Sequence, residues 1–578
     1  MKKRTSIACL VVLAGCSSAM ADAVVVVRAM TASTVMEAFL DESMLRVEIE
    51  MSIADVPAFV NLLPDEIYDE LGLPPASAAE RQARFVTEDF VFRADGEPLI
   101  GRLAGAELRS RIVRDEITGE PLPAGDGDVE PVIFFVLEYP LEARPATISI
   151  KIPDREAPGA SASIGFVFYH LGVAANDFRY LVNGSTIDLD WDDPWHSRFR
   201  TRQLRRTYDA PLNLFLYVEP FEVRVEIIIR PLDAQQWVDL GLDGRDTITP
   251  QMYGSIQGGV SDLLAEHLNL TIDGQAVSPV LDRINFLRRT LRNSTVIDPP
   301  EPLSVFIAQL GVIFVVPRES LPQQVQVTWD LFSKSIAAIP AAATDEAGPL
   351  PTTLTPQDNV LRWQNFLVDP TIPTIMSVIP PPHSATRLLP GVAWAGGLGF
   401  VGMLGVAGLR LARTRVVPIR VVVAACILLA GAAVAGQASR QAAVSEQRSG
   451  EIVGALLHNV YRSFDYREES AVYDTLARSI AGDFLTQAYL ETHRTLELRN
   501  QGGARVKVNS VELLECHPEP LTEGIGFTAD CRWLVAGSVG HWGHIHQRRN
   551  EMDALVTVRA VGGDWKITQM ELRGADRR

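Results

Sequence analysis

The chain has 578 residues, 47% of them hydrophobic, and a formal net charge of −18. This length predicts about three or four domains at roughly 150 residues each, with enough apolar residues for real cores. The acidic balance argues against a nucleic-acid partner, because phosphate binding requires a basic face.

The N-terminus is typical of a secretory signal peptide. A basic start over 2–4 precedes a short apolar run over 7–14, and small residues follow. Two processing sites overlap there: LAGC matches a bacterial lipobox with Cys16 as lipid acceptor, and AMA, ending at Ala21, precedes an ordinary cleavage site. Both alternatives stay open, and export of the chain after removal of residues 1–21 is expected.

An internal repeat follows the signal. The segment 45–49, LRVEI, recurs at 223–227 as VRVEI, and the turn pair Asp95-Gly96 recurs as Asp273-Gly274, both at an offset of 178. A register shared over a long stretch predicts two tandem copies of one module.

The two modules, 24–210 and 211–386, are predicted to be mainly β. Segments such as LRVEIEMSI and QVQVTWDLF alternate apolar and polar residues at the strand period, and Asp-Gly pairs mark tight turns. The pattern predicts β-sandwich modules. Their VEI…DG part resembles the extracytoplasmic region of hydrogenase/urease accessory permease-type proteins, but that family's multi-helix membrane domain has no counterpart in the sequence, so its metal transport is not expected here.

An acidic stretch in the first module, STIDLDWDDPWHSRF over 185–199, contains four aspartates and two tryptophans. A calcium loop would require Gly at its sixth position and Glu at its twelfth, where this chain has Asp193 and Phe199. The favoured interpretation is a terminal strand whose tryptophan packs into the module.

Two apolar runs, 388–411 and 416–436, follow the modules. The first contains an uncharged stretch of the length, about 20 residues, that a bilayer core requires. The second contains one charge, Arg420, close enough to its end to reach the interface. Because only a few residues separate the runs, they are predicted to form a two-helix transmembrane hairpin with closely packed small residues. The alternative is a buried hairpin in a soluble core.

Four arginines at the turn of this hairpin predict its orientation. They are Arg410, Arg413, Arg415 and Arg420. The positive-inside rule places such a short basic loop, 410–420, in the cytoplasm. Both large regions would then be periplasmic or otherwise extracytoplasmic, anchored in the inner (cytoplasmic) membrane, and the exported N-terminus agrees with this independently.

The last region, 440–578, has a different pattern. Apolar residues first return at helical spacing, and after Gly502-Gly503 the chain turns to strand-like segments. Helices followed by a run of strands indicate an α+β domain. The order, with the final VGGDWKI hairpin, resembles the cone-shaped nuclear-transport-factor-two-like superfamily. That superfamily hosts enzymes, binding modules and assembly domains, so the resemblance implies a shape and no particular reaction.

Two of the five cysteines, Cys516 and Cys531, lie outside the signal and the apolar runs. A turn near 523–524 would place them nearly opposite each other on successive strands. In an oxidising compartment a disulfide is expected, and closing this loop contributes about 3 kcal/mol. A metal site using Cys516 and His517 is the alternative.

A histidine cluster lies near the C-terminus and consists of His541, His544 and His546. On a single strand His544 and His546 would share one face and His541 would take the other, unless Gly543 forms a bulge. Neutral imidazoles bind transition metals, and His517 or His458 could add a ligand. Hydrogen-bonded histidines on a half-buried sheet are the alternative.

Two functions are compatible with the sequence, in which no phosphate loop, HExxH or nucleophile motif occurs. The favoured one is a noncatalytic, membrane-anchored binding or scaffold protein of the bacterial envelope, with protein partners there and no cofactor. The other is an envelope metal-binding protein or metallo-hydrolase that uses the histidine cluster and a transition metal.

Overall fold

The computed structural model describes residues 28–577 except 64, 71, 73, 112–129, 153–162, 208–210, 290–293, 382–388, 415–418, 443–444, 467, 502–504 and 542–543. The predicted signal peptide, with Cys16 and both processing sites, lies outside the described residues. The described chain is multidomain and rich in β-sheet, with six sheets. We divide it into a first β-region (28–207), a second β-region (211–364), a connecting segment (365–381), an apolar helix pair and a C-terminal region (445–577).

The first β-region contains two sheets. One sheet consists of β1 Thr34–Leu40, β2 Met44–Ser52, β5 Arg102–Ser110, β6 Pro131–Pro140, β8 Ile164–His170, β9 Val173–Ala174 and β10 Arg179–Tyr180. The other consists of β3 Val91–Ala94, β4 Glu97–Pro98, β7 Thr147–Lys151, β11 Ser185–Asp188 and β12 Arg198–Phe199. Two short helices, α1 Asp65–Glu70 and α2 Ala78–Arg84, lie between β2 and β3. Alternation places Val47 and Ile49 of β2 in one core with Ile150 of β7, so the two sheets share that core.

The second β-region is built in the same way. Its larger sheet consists of β13 Asn213–Val218, β14 Glu222–Ile229, β18 Val280–Arg289, β19 Ser294–Val296, β21 Gln309–Pro317, β23 Ile339–Asp345 and β24 Gly348–Leu354. Its smaller sheets consist of β16 Asn269–Ile272, β17 Gln275–Val277, β22 Gln324–Thr328 and β25 Val360–Gln364, and of β15 Thr247–Ile248 with β20 Leu303–Ser304. Its helices are α3 Pro231–Ala234 and α4 Tyr253–His267.

The two β-regions share their strand order. The larger sheets run β8-β1-β2-β6-β5 and β23-β13-β14-β21-β18, and in each the first pair is parallel while the others are antiparallel. The smaller sheets run β11-β7-β3-β4 and β25-β22-β16-β17. Sequence segments that align at the offset of 178 therefore occupy equivalent strands.

The Asp-Gly turns are also equivalent. Asp95 and Asp273 both adopt a left-handed φ, 50° and 51°, which a short polar residue tolerates in a tight hairpin turn. The carboxylate of Asp95 accepts hydrogen bonds from the backbone N–H of Ala146 and Thr147, and Asp273 accepts the same pair from residues 323–324. One aspartate thus fixes the turn and the start of the neighbouring strand in each region.

The apolar helix pair consists of α5 Leu389–Thr414 and α6 Ile419–Ala442. The helices approach closely, since a Cβ on Gly396 would lie 3.1 Å from the Cβ of Ala432. Among the described residues one helix, Gly391–Arg413, is long and apolar enough to cross a membrane, and Ile419–Ala435 is a shorter apolar segment. The two-helix membrane crossing therefore stays a prediction. The interpretation of α5 as a core helix is disfavoured, because none of its most apolar stretch is buried.

The C-terminal region has three helices and then one antiparallel sheet. The helices are α7 Glu446–Tyr461, α8 Glu469–Ser479 and α9 Asp483–Gln501, and the strands are β26 Arg505–Pro520, β27 Gly526–His541, β28 His544–Val561 and β29 Asp564–Arg577. The strands pair in chain order. Alternate residues of β27, such as Phe527 and Trp533, share a core with Leu456 of α7, so the helices cover one face of the sheet.

Candidate binding cleft between the second β-region and the C-terminal region

A cleft of about 790 Å³ separates the second β-region from the C-terminal region. Its walls come from the end of β13, the β23–β24 turn, the connecting segment and strands β26 and β27. The volume lies within the range of about 300–1,000 Å³ that small-ligand sites occupy. Since the walls come from parts of the chain that are far apart in sequence, the cleft exists only when these regions pack together.

The connecting segment is held in place by the C-terminal region. The side-chain amide of Asn459 accepts from the backbone N–H of Met376 at 2.7 Å and donates to its carbonyl at 2.9 Å. The Nε2 of His458 lies 3.0 Å from the carbonyl oxygen of Thr374. Asn459 is buried, so these bonds satisfy polar groups that would otherwise be stranded. The segment therefore forms a fixed wall of the cleft.

Two acidic residues of the β23–β24 turn are occupied by structural bonds. Asp345 accepts a hydrogen bond from the indole N–H of Trp363 at 2.8 Å. Both carboxylate oxygens of Glu346 accept from the backbone N–H of Thr371, at 3.1 and 3.0 Å. These carboxylates fix the turn and the connecting segment to each other, which leaves neither of them poised as a general base.

Lys507 supplies a positive charge that is available to a ligand. Its neighbour in the lining, Arg462, is buried, donates to the carbonyl of Val508 and pairs with Asp465 at 3.3 Å. In the described part of the chain, by contrast, the Lys507 side chain makes no hydrogen bond or ion pair. An ammonium group in this position can bind a carboxylate or another anionic group.

Two apolar side chains at the cleft are exposed to solvent. Phe366 is 78% exposed and Val368 is 94% exposed, and both contribute to the lining. Neighbouring exposed apolar groups are typical of surfaces that bind another molecule. Together with Lys507 they suit a ligand that carries apolar and anionic groups, such as an extended peptide segment.

The histidine cluster has a different geometry from the one that the sequence predicts. Strands β27 and β28 form a hairpin in which His541 pairs directly with His544, and His546 lies two residues further on. Directly paired residues lie on the same face, so all three positions share one face. The single strand on which the opposite-face expectation depended is not present, since β27 ends at His541 and β28 begins at His544. The side chains of the three histidines lie outside the described residues.

His517 and His458, named above as further metal ligands, are occupied elsewhere. The Nδ1 of His517 lies 2.8 Å from Glu446, and His517 pairs with Asp530 on β27. His541 lies eleven positions beyond Asp530 along β27, which corresponds to about 36 Å at roughly 3.3 Å per residue. His517 therefore cannot join the cluster. His458 contacts the connecting segment, and burial lowers its pKa.

Cys516 and Cys531 are direct partners on β26 and β27. Both thiols are buried, and their sulfur atoms are 3.4 Å apart, compared with about 2.05 Å in a disulfide. The Cys531 thiol donates to the Cys516 sulfur, and this bond lowers the pKa of Cys516. The disulfide stays a prediction that this placement permits. The alternative metal ligand His517 pairs with Glu446.

The acidic stretch of the first β-region binds an arginine through Asp193. Arg230, at the start of α3, is fully buried and donates to both carboxylate oxygens of Asp193, at 2.9 and 2.8 Å. It also donates to both oxygens of Asp233, at 2.6 and 2.9 Å. Burial alone would raise the pKa of Asp193, but Arg230 holds it below its usual value. This ion pair joins the two β-regions, which sequence patterns did not reveal.

Comparison with known proteins found no family model and no curated protein that matches this chain.

Proposed function

We propose that this chain is a noncatalytic, membrane-anchored binding or scaffold protein of the bacterial envelope. The observation that carries the proposal is the cleft between the second β-region and the C-terminal region, where Phe366, Val368 and Lys507 present apolar and cationic groups without partners in the described chain. The partner is a protein of the envelope that inserts an apolar, acidic segment into this cleft.

The extracytoplasmic part contains two tandem β-sandwich modules, 24–210 and 211–386, in this proposal. The shared strand order and the equivalent turns at Asp95 and Asp273 support the repeat. The single core between the two sheets of the first β-region supports the sandwich. The proposed likeness of the VEI…DG part to permease-type extracytoplasmic regions adds a shape and no transport activity.

The apolar runs 388–411 and 416–436 form a two-helix anchor in the inner membrane, with the 410–420 loop in the cytoplasm. Support comes from the length and hydropathy of α5, from its exposed apolar surface and from its close approach to α6. A basic turn between the helices favours this orientation. The signal peptide and a possible lipid on Cys16 belong to the same proposal.

The C-terminal domain, 440–578, is assigned to the cone-like α+β class. Three helices that cover one face of a four-stranded antiparallel sheet support this assignment. In the proposal this domain serves as one wall of the ligand cleft.

A site-specific cross-linker tests the binding function. A photoreactive amino acid at position 366 of the full chain in its native membrane should give a defined adduct with one envelope protein. The same group at Ile100, which is 83% exposed in the first β-region, serves as the control. Lys507→Glu should reduce the adduct at 366, because it reverses the charge beside the cleft. Equal adducts from both positions, or no effect of Lys507→Glu, would contradict the proposal.

A metal-binding function is the second candidate, and one observation favours it. The hairpin brings positions 541, 544 and 546 to the same face, and three ligands suffice for a transition-metal site with one open position. Metal analysis of the purified full chain should then find one equivalent of zinc, copper or nickel that a His544→Ala/His546→Ala double variant loses. Metal retained by that variant would exclude these histidines as ligands.

A further inference from the structure

Five arginines lie within the nine residues 198–206, although the chain as a whole is acidic. In the structure they lie at the end of the first β-region, just before the second. A cleft of about 610 Å³ there is lined by Arg179, Arg202, Gln203, Arg205, Arg206 and Thr207. The net charge of −18 conceals such a surface, because it is a sum over the whole chain.

Neutral groups hold two of these arginines in position. The guanidinium of Arg205 donates to the carbonyls of Phe199, at 3.0 Å, and Arg200, at 3.3 Å. Arg206 donates to the carbonyl of Trp195, and its guanidinium lies 4.3 Å from the centre of that indole ring. Carbonyl oxygens orient the Arg205 guanidinium without cancelling its charge.

Carboxylates neutralise only part of the cluster. Arg179 pairs with Asp177 at 3.3 Å, and Arg200, outside the cleft lining, pairs with Asp188 at 2.7 Å. Within the described chain, Arg202 and Arg205 contact no carboxylate. Like charges held this close repel one another, so an anion that enters the cleft relieves the repulsion.

We propose that this arginine cleft binds phosphate groups, carried either by a soluble phosphorylated compound or by a phospholipid headgroup. The planar guanidinium fork donates two parallel hydrogen bonds to phosphate oxygens. A phosphate group offers three strong acceptor oxygens to the guanidinium groups, whereas a carboxylate offers two. The site is separate from the cleft at Phe366 and does not depend on the function proposed above.

Calorimetric titration of the full chain in uncharged detergent tests the site. One arm uses inorganic pyrophosphate, and the other uses dihexanoyl phosphatidylglycerol below its micelle concentration. Arg202→Gln should weaken binding about tenfold, as expected for one charge-assisted contact, and Arg202→Gln/Arg205→Gln should weaken it further. The control is Arg362→Gln, which removes an exposed arginine of the second β-region.

The two probes distinguish a soluble phosphate compound from a phospholipid headgroup, and they also test whether the cleft binds phosphate at all. Arginine-dependent binding of pyrophosphate identifies a soluble phosphate compound, and such binding of the lipid alone identifies a headgroup. Absence of binding to both probes, or equal weakening by Arg362→Gln, overturns the proposal. Arg202 makes no side-chain bond in the described chain, so the single variant retains the fold, and an unchanged thermal midpoint verifies this.

Discussion

The imidazole of His170 is completely buried in the first β-region. Its Nδ1 lies 2.7 Å from the hydroxyl of Ser197, and the ring of Trp191 packs edge-on at 4.4 Å. Burial lowers the pKa of His170 to about 4; Asp190 opposes this shift and Arg144 adds to it. The residue is therefore neutral in the folded protein at any pH well above 4.

This shift predicts acid sensitivity of the first β-region. Unfolded histidine titrates near pH 6.5, so between about pH 6.5 and 4 the unfolded state binds more protons than the folded state. Stability should fall as the pH falls through that window, by up to about 3 kcal/mol at pH 4. Urea unfolding at several pH values should show that the free energy of unfolding decreases less steeply with falling pH for His170→Gln than for the unsubstituted protein. Equal slopes would show that His170 does not titrate as expected.

The buried ion pair of Arg230 is expected to contribute more to stability than an arginine pair on the surface. Arg230→Met would leave Asp233 buried without its cationic partner, and removal of one member of a buried ion pair costs about 3–5 kcal/mol. The matched control is Arg200→Met, because Arg200 pairs with Asp188 on the surface, where a pair contributes less than about 1 kcal/mol. Urea unfolding measures the free energy of unfolding of both variants. Similar decreases for Arg230→Met and Arg200→Met would contradict the prediction.

Individual strands were predictable where buried and less buried residues alternate along the chain. LRVEIEMSI became β2 and QVQVT became β22, because one face of each strand packs into a core and the other does not. The relative face of His541 was not predictable, since it depends on a chain reversal that the sequence GHWGHIHQ does not signal. The five arginines of 198–206 are visible in the sequence, but the carbonyl groups that orient Arg205 are seen only in the structure.

The β26–β27 hairpin is predicted to contain a disulfide between Cys516 and Cys531. Since Cys516 and Cys531 are paired directly and the hydrogen bond from Cys531 lowers the pKa of Cys516, oxidation in the envelope should link them. Peptide mapping without reductant should recover the linked pair, with Cys426 of α6 as the free-thiol control. Reduction should then lower the free energy of unfolding by about 3 kcal/mol. Two free thiols in protein isolated from the envelope would refute the disulfide.

The large regions contact one another through residues outside the apolar helices. Arg230 bridges the two β-regions, and Phe221 of the second β-region stacks on Tyr466 of the C-terminal region at 5.7 Å. Asn459 holds the connecting segment. The cleft at Phe366 was not predictable, because it depends on these contacts between distant parts of the chain. None of the described residues that line the cleft belongs to α5 or α6.

An anchor should therefore be exchangeable. Replacing residues 388–436 with an unrelated two-helix membrane hairpin of the same orientation should preserve the adduct at position 366, whereas deleting 440–578 should abolish it, because the deletion removes one wall of the cleft. A cytoplasm-dependent reporter fused after Arg578 should stay silent in both the original and the exchanged protein, which verifies the orientation. Loss of the adduct from a correctly oriented, exchanged protein would show that contacts made by the apolar helices shape the binding site, and the hairpin would then be more than an anchor.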